Sequence, residues 1–218
     1  MRIPFSKAIT LLTVALMAAV LPVTARGDNF VDPYANYDES AALDMELEEN
    51  LATPPVQPAE KEAVKRYMRA LAQKLGQKYK VELMRGGEVV VVTIPTDALF
   101  LPNDTLLSPD AAAQLRPLLP LFHTADMFKL VYAVHTDDTG SESYNDDLSS
   151  ARSQSIYAWL MEDGHVNQDI FIINYEMGDS RPLAPNDTRA RRAANRRLEI
   201  FLVPGPRLIT LAHEGKIR

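Results

Sequence analysis

The chain has 218 residues, of which 46% are hydrophobic and 24% charged, and its formal net charge is −6. This length allows one domain of about 120 to 150 residues together with accessory segments. Cysteine is absent, which excludes disulfides, thiolate metal sites and cysteine nucleophiles, and no lipid-carrying cysteine is expected.

The negative charge is concentrated near the N-terminus. Between Asp28 and Glu62 the acidic residues have Lys61 as their only basic counterpart, whereas from Ala63 onward basic and acidic residues are equal in number. The larger C-terminal part is therefore close to neutral. A nucleic-acid partner is not expected, because such proteins present a strongly basic surface.

Residues 1–25 have the pattern of a secretory signal peptide. Arg2 and Lys7 precede an apolar run from Ala8 to Val20, and small residues follow up to Ala25. The alternative is an uncleaved inner-membrane anchor, although the run is shorter than the ~20 residues that span a bilayer. We expect an exported protein of the periplasm or cell envelope, with the outer membrane as a place of association.

Residues 26–59 are interpreted as an acidic, proline-containing arm or linker. Its segment 38–51 could form one acidic helix with Leu43, Leu47 and Leu51 on one face. A solvated acidic run that folds only against a partner explains the segment equally well. The prolines at the end of the arm predict an extended connector.

Hydrophobic periodicity after the arm predicts three helices and four strands. The predicted strands are Glu88–Ile94, Lys129–Val134, a strand that includes Phe171–Ile173, and Leu198–Val203. The first predicted helix is Glu60–Tyr79, within an amphipathic segment 60–82. The second begins at Ser108-Pro109-Asp110, and the third is Asp147–Met161. The first strand is a β-branched run too apolar to be half exposed and is expected to be a central strand. Pro117 and Pro120 should end the middle helix early.

This order predicts an α/β (α+β) two-layer sandwich, a βαβαββ domain over residues 83–203 with a mixed sheet, preceded by an amphipathic helix. The tail 204–218 is expected to add a short strand or a short helix.

The stretch after the second strand is polar and leads into a helix. Ligand sites of α/β folds lie in such loops, where strand ends meet helix starts. Asp137 ends the strand, and Arg152 is expected within the first two turns of the helix, so the loop can bring both to one cleft. A carboxylate and a guanidinium across a cleft suit a zwitterionic ligand. The alternative is a structural ion pair.

The run HTDDTGSESYNDDLSSARSQSIYAWL, which begins at His135, resembles the OmpA-like peptidoglycan-binding domain family. The segment from Asp179 to Ile200, with Asn195-Arg196-Arg197, resembles a later motif of that family, and Ile94 to Leu107 matches its first strand and loop more loosely. The resemblance covers Glu88 to Val203. Three positions depart from the family pattern, namely Val134, Ser153 and Arg191.

The resemblance implies a non-catalytic protein that binds peptidoglycan non-covalently through the diaminopimelate of the stem peptide and positions an envelope component on the cell wall. Asp137 would hold the ammonium group and Arg152 the carboxylate on the same carbon. By residue-wise matching, the site would also include Asn103, Thr139, Asn145 and Arg196. Leu148 would serve in packing and Ser149 as a hydrogen bonder at the helix start. No metal or cofactor is implied.

Arg191, with Arg189 and Arg192, could add a basic rim for anionic glycan or stem carboxylates, or could be a solvated loop. His135 and Asp137 on one side of a strand allow a metal site, but no third ligand has metal-like spacing.

Other functions were weighed against binding. Clustered aspartates after the second strand could indicate a glycosidase, but capping and the helix dipole explain them. A motor stator would need a membrane helix with an ionisable residue, and the run from Ala8 to Val20 has none. An envelope protein that docks on the acidic arm is the further partner expected.

Overall fold

The computed structural model describes residues 30, 34–35, 38–124, 126–164, 166–167 and 169–217. The expected signal peptide lies outside these residues. Within the described part of the chain, no helix combines the length and the apolar character that crossing a membrane requires.

Five strands form one mixed sheet in the order β1-β2-β5-β3-β4. The strands are β1 Lys80–Met84, β2 Val89–Pro95, β3 Phe128–His135, β4 Ile172–Gly178 and β5 Arg197–Pro204. Strands β3 and β4 are parallel, and the other neighbours are antiparallel. The mixed α/β architecture is confirmed. The first predicted strand corresponds to β2, which lies in the interior of the sheet between β1 and β5, so its prediction as a central strand is confirmed.

Strand β1 was not predicted. Four of its five residues are exposed, since it lies at the edge of the sheet, and it therefore lacks a strong apolar pattern. The segment had been assigned to the preceding helix, which in the structure ends at Leu75 and is followed by Gly76.

Seven α-helices occur in the described residues. They are α1 Glu39–Ala42, α2 Leu47–Asn50, α3 Pro58–Leu75, α4 Ala111–Leu115, α5 Glu142–Glu162, α6 Arg189–Asn195 and α7 Pro206–His213. A 3-10 helix, Arg116–Phe122, follows α4, so Pro117 and Pro120 end the middle helix early, as predicted. The C-terminal tail contributes the helix α7.

Helix α5 begins five residues before the predicted start. The Ser141 side chain caps it by accepting a hydrogen bond from the backbone N–H of Tyr144 at 3.2 Å. The first turn is polar and has no apolar periodicity, so the sequence pattern set the start too late. Arg152 consequently lies about three turns into the helix, and its placement in the first two turns was wrong.

Alternate residues of the strands face opposite sides of the sheet. In β2, Val90 and Val92 face the main core, which α3, α4, α5 and α7 cover, whereas Val89 and Val91 face a second, smaller core. The helices thus form the layer expected of a two-layer sandwich, and the second face of the sheet is also partly covered.

The acidic arm covers that second face. Leu47 and Leu51 are buried there with Ala42, whereas Leu43 is 65% exposed. The Asn50 amide donates a hydrogen bond to the Tyr175 hydroxyl of β4 at 2.6 Å. A single helix presenting all three leucines on one face was therefore wrong: a turn between α1 and α2 points two of them inward. Docking of a protein partner on the arm stays a prediction.

The packing of the arm predicts that it stabilises the domain. Leu47→Ala and Leu51→Ala should each lower the free energy of unfolding by about 2–3 kcal/mol, because each removes a buried side chain and leaves a cavity. Urea denaturation measures this. Leu43→Ala is the matched control on the same arm and should change the free energy by less than about 0.5 kcal/mol. Equal, small effects of all three would contradict the packing.

Candidate functional site

At one end of the sheet, where its strands meet the loops, the last residues of β2 and β3 are in register with the first residue of β5. Arg197 at the start of β5 is paired with Pro95 at the end of β2 and with His135 at the end of β3. The residues just beyond these positions are therefore brought together although they are distant in sequence. Asp97, Asp137 and Arg196 meet at this end of the sheet.

A polar cleft of about 410 Å³ lies at this end of the sheet. Its lining includes every residue proposed from the sequence, namely Asn103, Asp137, Thr139, Asn145, Arg152 and Arg196. Leu148 also lines it, and so do several residues that the sequence reading did not single out for the site, among them Asp97, Phe100, Thr136 and Tyr144. The expected juxtaposition of Asp137 and Arg152 on one cleft is thus present.

Arg196 bridges two carboxylates on the floor of the cleft. Its Nε and Nη2 donate to the two oxygens of Asp97 at 2.8 and 2.6 Å, and its Nη1 donates to Asp137 Oδ2 at 2.5 Å. Hydrogen bonding to Asp97, which outweighs burial, raises the pKa of Arg196. The arrangement is a fixed acid–base–acid unit with one net negative charge.

Asp137 is buried and ionised. Burial by itself would raise its pKa, but hydrogen bonds from Thr139 and Arg196 lower the pKa below the ordinary value. The backbone N–H of Thr139 donates to Oδ1 at 2.9 Å. A carboxylate has about four acceptor positions, and the side chain and backbone of Thr139 together with Arg196 use three, so one remains for a ligand donor such as an ammonium group.

Arg152 carries a buried charge that pairs with no carboxylate in the described residues, although it is only 5% exposed. Its Nε donates to the carbonyl oxygen of Asp104 at 2.9 Å, and its guanidinium lies 4.8 Å from the centre of the Phe100 ring. Burial lowers its pKa, yet an arginine stays charged in proteins. The expected alternative, an ion pair between Arg152 and Asp137, is therefore not formed.

Two residues that line the cleft have buried polar atoms without a hydrogen-bond partner among the described residues. Asn145 Nδ2 and Thr136 Oγ1 are buried and have no hydrogen-bond partner in the described part of the chain. A buried polar group without a partner costs about 1–3 kcal/mol, so a ligand that supplies partners would recover this energy. Asn103, at φ +60°, accepts a hydrogen bond from the Tyr144 hydroxyl at 3.3 Å at the mouth of the cleft.

Neighbouring residues of the two motifs shape the cleft without lining it. The Asn195 side chain accepts from the backbone N–H groups of Leu183 and Ala184 at 2.8 and 3.0 Å, which fixes the loop before α6. The Ser149 hydroxyl accepts a hydrogen bond from the Gly178 N–H at 3.1 Å and donates one to the Asp146 carbonyl oxygen. Ser149, expected to form a hydrogen bond at the helix start, therefore connects α5 to β4. A Cβ on Gly178 would collide with Asp146.

Beneath the cleft, the buried Arg197 forms an ion pair with the partly buried Glu199. Arg197 Nε donates to Glu199 Oε1 at 2.9 Å, and His135 Nε2 lies 3.0 Å from Glu199 Oε2. Burial lowers the pKa of His135. His135 thus contacts Glu199 below the cleft, and no group of three metal-ligating side chains is found in the described residues.

Asp97 could have been found from the sequence. It follows β2 by two residues, as Asp137 follows β3 by two residues, and both strands run antiparallel to β5. The sequence feature that could have indicated the role of Asp97 is the position of a carboxylate two residues after each strand. This feature alone does not predict that the two carboxylates meet, because both strands pair with β5 only in the tertiary structure.

Comparison with known proteins gives a consistent result. Residues 99–196 match the protein-family model described as the OmpA family. The outer-membrane lipoprotein YfiB of Pseudomonas aeruginosa is 36% identical over 104 residues, which are 48% of this chain and 61% of that protein. The peptidoglycan-associated lipoprotein of Legionella pneumophila is 29% identical over 134 residues, 61% of this chain and 75% of that protein.

The crystal structure of a MotB-like protein from Desulfovibrio vulgaris has a TM-score of 0.56, with 22% identity, over 66% of this chain and 98% of that one. This likeness concerns the fold. The chain spans less than two thirds of the length of the YfiB relative, so that similarity is to part of the protein.

Proposed function

We propose that this chain, whose residues 99–196 match the OmpA family model, binds peptidoglycan through the diaminopimelate of the stem peptide and tethers an envelope component to the cell wall. The single observation that carries the proposal is Arg152, a buried guanidinium without a carboxylate partner in the described residues, which shares a cleft with Asp137. One similar protein is itself named as peptidoglycan-associated.

The free end of diaminopimelate carries an ammonium and a carboxylate on one carbon, and the cleft offers a complement to each. Asp137 keeps one acceptor position for the ammonium group. Arg152 presents a planar fork of donors that suits a carboxylate. Asn145 and Thr136 would gain partners for their unsatisfied atoms, and Arg196 holds the Asp137 carboxylate in place.

Binding without catalysis is supported by the charge state of the acids. A glycoside hydrolase needs one carboxylic acid with a raised pKa to protonate the leaving group. Here Arg196 bonds both Asp97 and Asp137, and the pKa of Asp137 is lowered. Release of soluble muropeptides from purified sacculi by the protein would contradict this part of the proposal.

The test is co-sedimentation of the full chain with purified sacculi. Retention is expected on sacculi that contain diaminopimelate and should be lost on sacculi with lysine in its place. Lysine keeps the ammonium but lacks the carboxylate, so the Arg152 charge would stay buried and unpaired, at a cost of about 2–5 kcal/mol. Equal retention on both walls would contradict recognition of diaminopimelate.

A further inference from the structure

The charges of the cleft do not balance once a zwitterionic centre is bound. The unit of Asp97, Arg196 and Asp137 has one net negative charge, and Arg152 has one positive charge. A ligand ammonium and carboxylate neutralise these two. The guanidinium of Arg189 also lines the cleft, and its positive charge is not neutralised by the zwitterionic centre.

The three arginines expected in a basic loop, Arg189, Arg191 and Arg192, lie in helix α6 and have different surroundings. Arg191 Nη1 is paired with Asp187 at 2.6 Å, away from the cleft. Arg192 Nη1 donates to the carbonyl oxygen of Asn186 at 2.7 Å. Arg189 is exposed, lines the cleft, and has no hydrogen bond or ion pair among the residues that the structure describes. The basic rim is thereby reduced to one residue.

We infer that Arg189 is a second anion-binding residue of this cleft and that the ligand carries a carboxylate in addition to the one held by Arg152. This inference rests on the proposed function and specifies its ligand class: a stem peptide with a further free carboxylate. Because Arg189 is exposed, its pairing is partly screened by solvent and should add a modest increment to the affinity.

The experiment is isothermal titration of the full chain with synthetic stem tetrapeptides that all keep the ammonium and carboxylate of the diaminopimelate side chain. In one peptide the other carboxylates are free; in further peptides they are amidated singly or together. The fully amidated peptide should bind about three- to fivefold more weakly than the free one. Single amidation identifies which carboxylate pairs with Arg189.

Arg189→Ala should weaken binding of the free peptide about three- to fivefold and leave binding of the fully amidated peptide unchanged, so that a double-mutant cycle isolates the pairing. Arg189→Lys should restore part of the loss. Arg191→Ala is the matched control on the same helix and should change neither affinity.

The inference would be overturned if Arg189→Ala lowered the affinity for the free and the fully amidated peptide equally. It would also be overturned if the unaltered chain bound both peptides with equal affinity. Either result would leave the proposed function intact. Failure of the unaltered chain to bind any of the peptides would overturn the proposed function and the inference together.

Discussion

Arg152→Ala is expected to abolish retention of the protein on sacculi that contain diaminopimelate. The substitution removes the fork of donors that would pair with the ligand carboxylate in a buried setting. Loss of one partner of such a pair costs about 2–5 kcal/mol, or about thirtyfold to several thousandfold in affinity. The dissociation constant for a stem peptide, measured by titration, gives the magnitude.

Two controls separate this loss from misfolding, since Arg152 also bonds the carbonyl oxygen of Asp104. Arg152→Lys keeps the charge but not the planar fork, and it should still weaken binding at least about tenfold. Asp137→Asn removes, at another element, the negative charge that would pair with the ammonium and should have a similar effect. Retained binding in variants with unchanged melting temperatures would refute the site assignment.

The largest effect on stability is expected from Arg197→Ala. The substitution leaves Glu199 in the sheet without its main cationic partner. Because the Glu199 side chain is only 16% exposed, breaking the pair costs up to about 3–5 kcal/mol in the free energy of unfolding. Urea denaturation at neutral pH measures it. Arg191→Ala, which breaks the exposed pair with Asp187, should cost less than about 1 kcal/mol.

The same pair predicts how stability depends on pH. Burial alone would raise the pKa of Glu199, but its contacts with His135 and Arg197 lower it to about 2, against 4.5 for an ordinary glutamate. A lowered folded-state pKa gives stability that is complete above the unfolded value and is lost as the pH falls toward 2.

This acid-dependent loss is on the order of 3 kcal/mol. Glu199→Gln should therefore flatten the decline of stability between about pH 4.5 and pH 2. An unchanged decline in that variant would show that other carboxylates carry the acid sensitivity.

The sequence was sufficient for features that are local. The apolar runs of β2, β3, β4 and β5 reflect burial on both faces or one face of the sheet, and prolines ended the middle helix where expected. Exposed or polar segments were not predicted, because β1 at the sheet edge and the first turn of α5 have little apolar periodicity.

The candidate site was predicted in part. Asp137 follows β3 and Arg152 lies in the next helix, α5, so a single loop brings them together and their spacing was informative. Asp97 and Arg196 come from segments about a hundred positions apart, and only the pairing of Pro95 with Arg197 in the sheet places them side by side.

The sequence by itself therefore determined the class of fold and the Asp137–Arg152 cleft, because hydrophobic periodicity and loop spacing act over short stretches of chain. Only the tertiary structure decided what each arginine does: Arg196 bridges two acids, Arg197 is buried in the sheet, Arg191 is paired outside and Arg189 lines the cleft. The physical reason is that a charged side chain takes its role from its nearest partners, and strand register selects those partners.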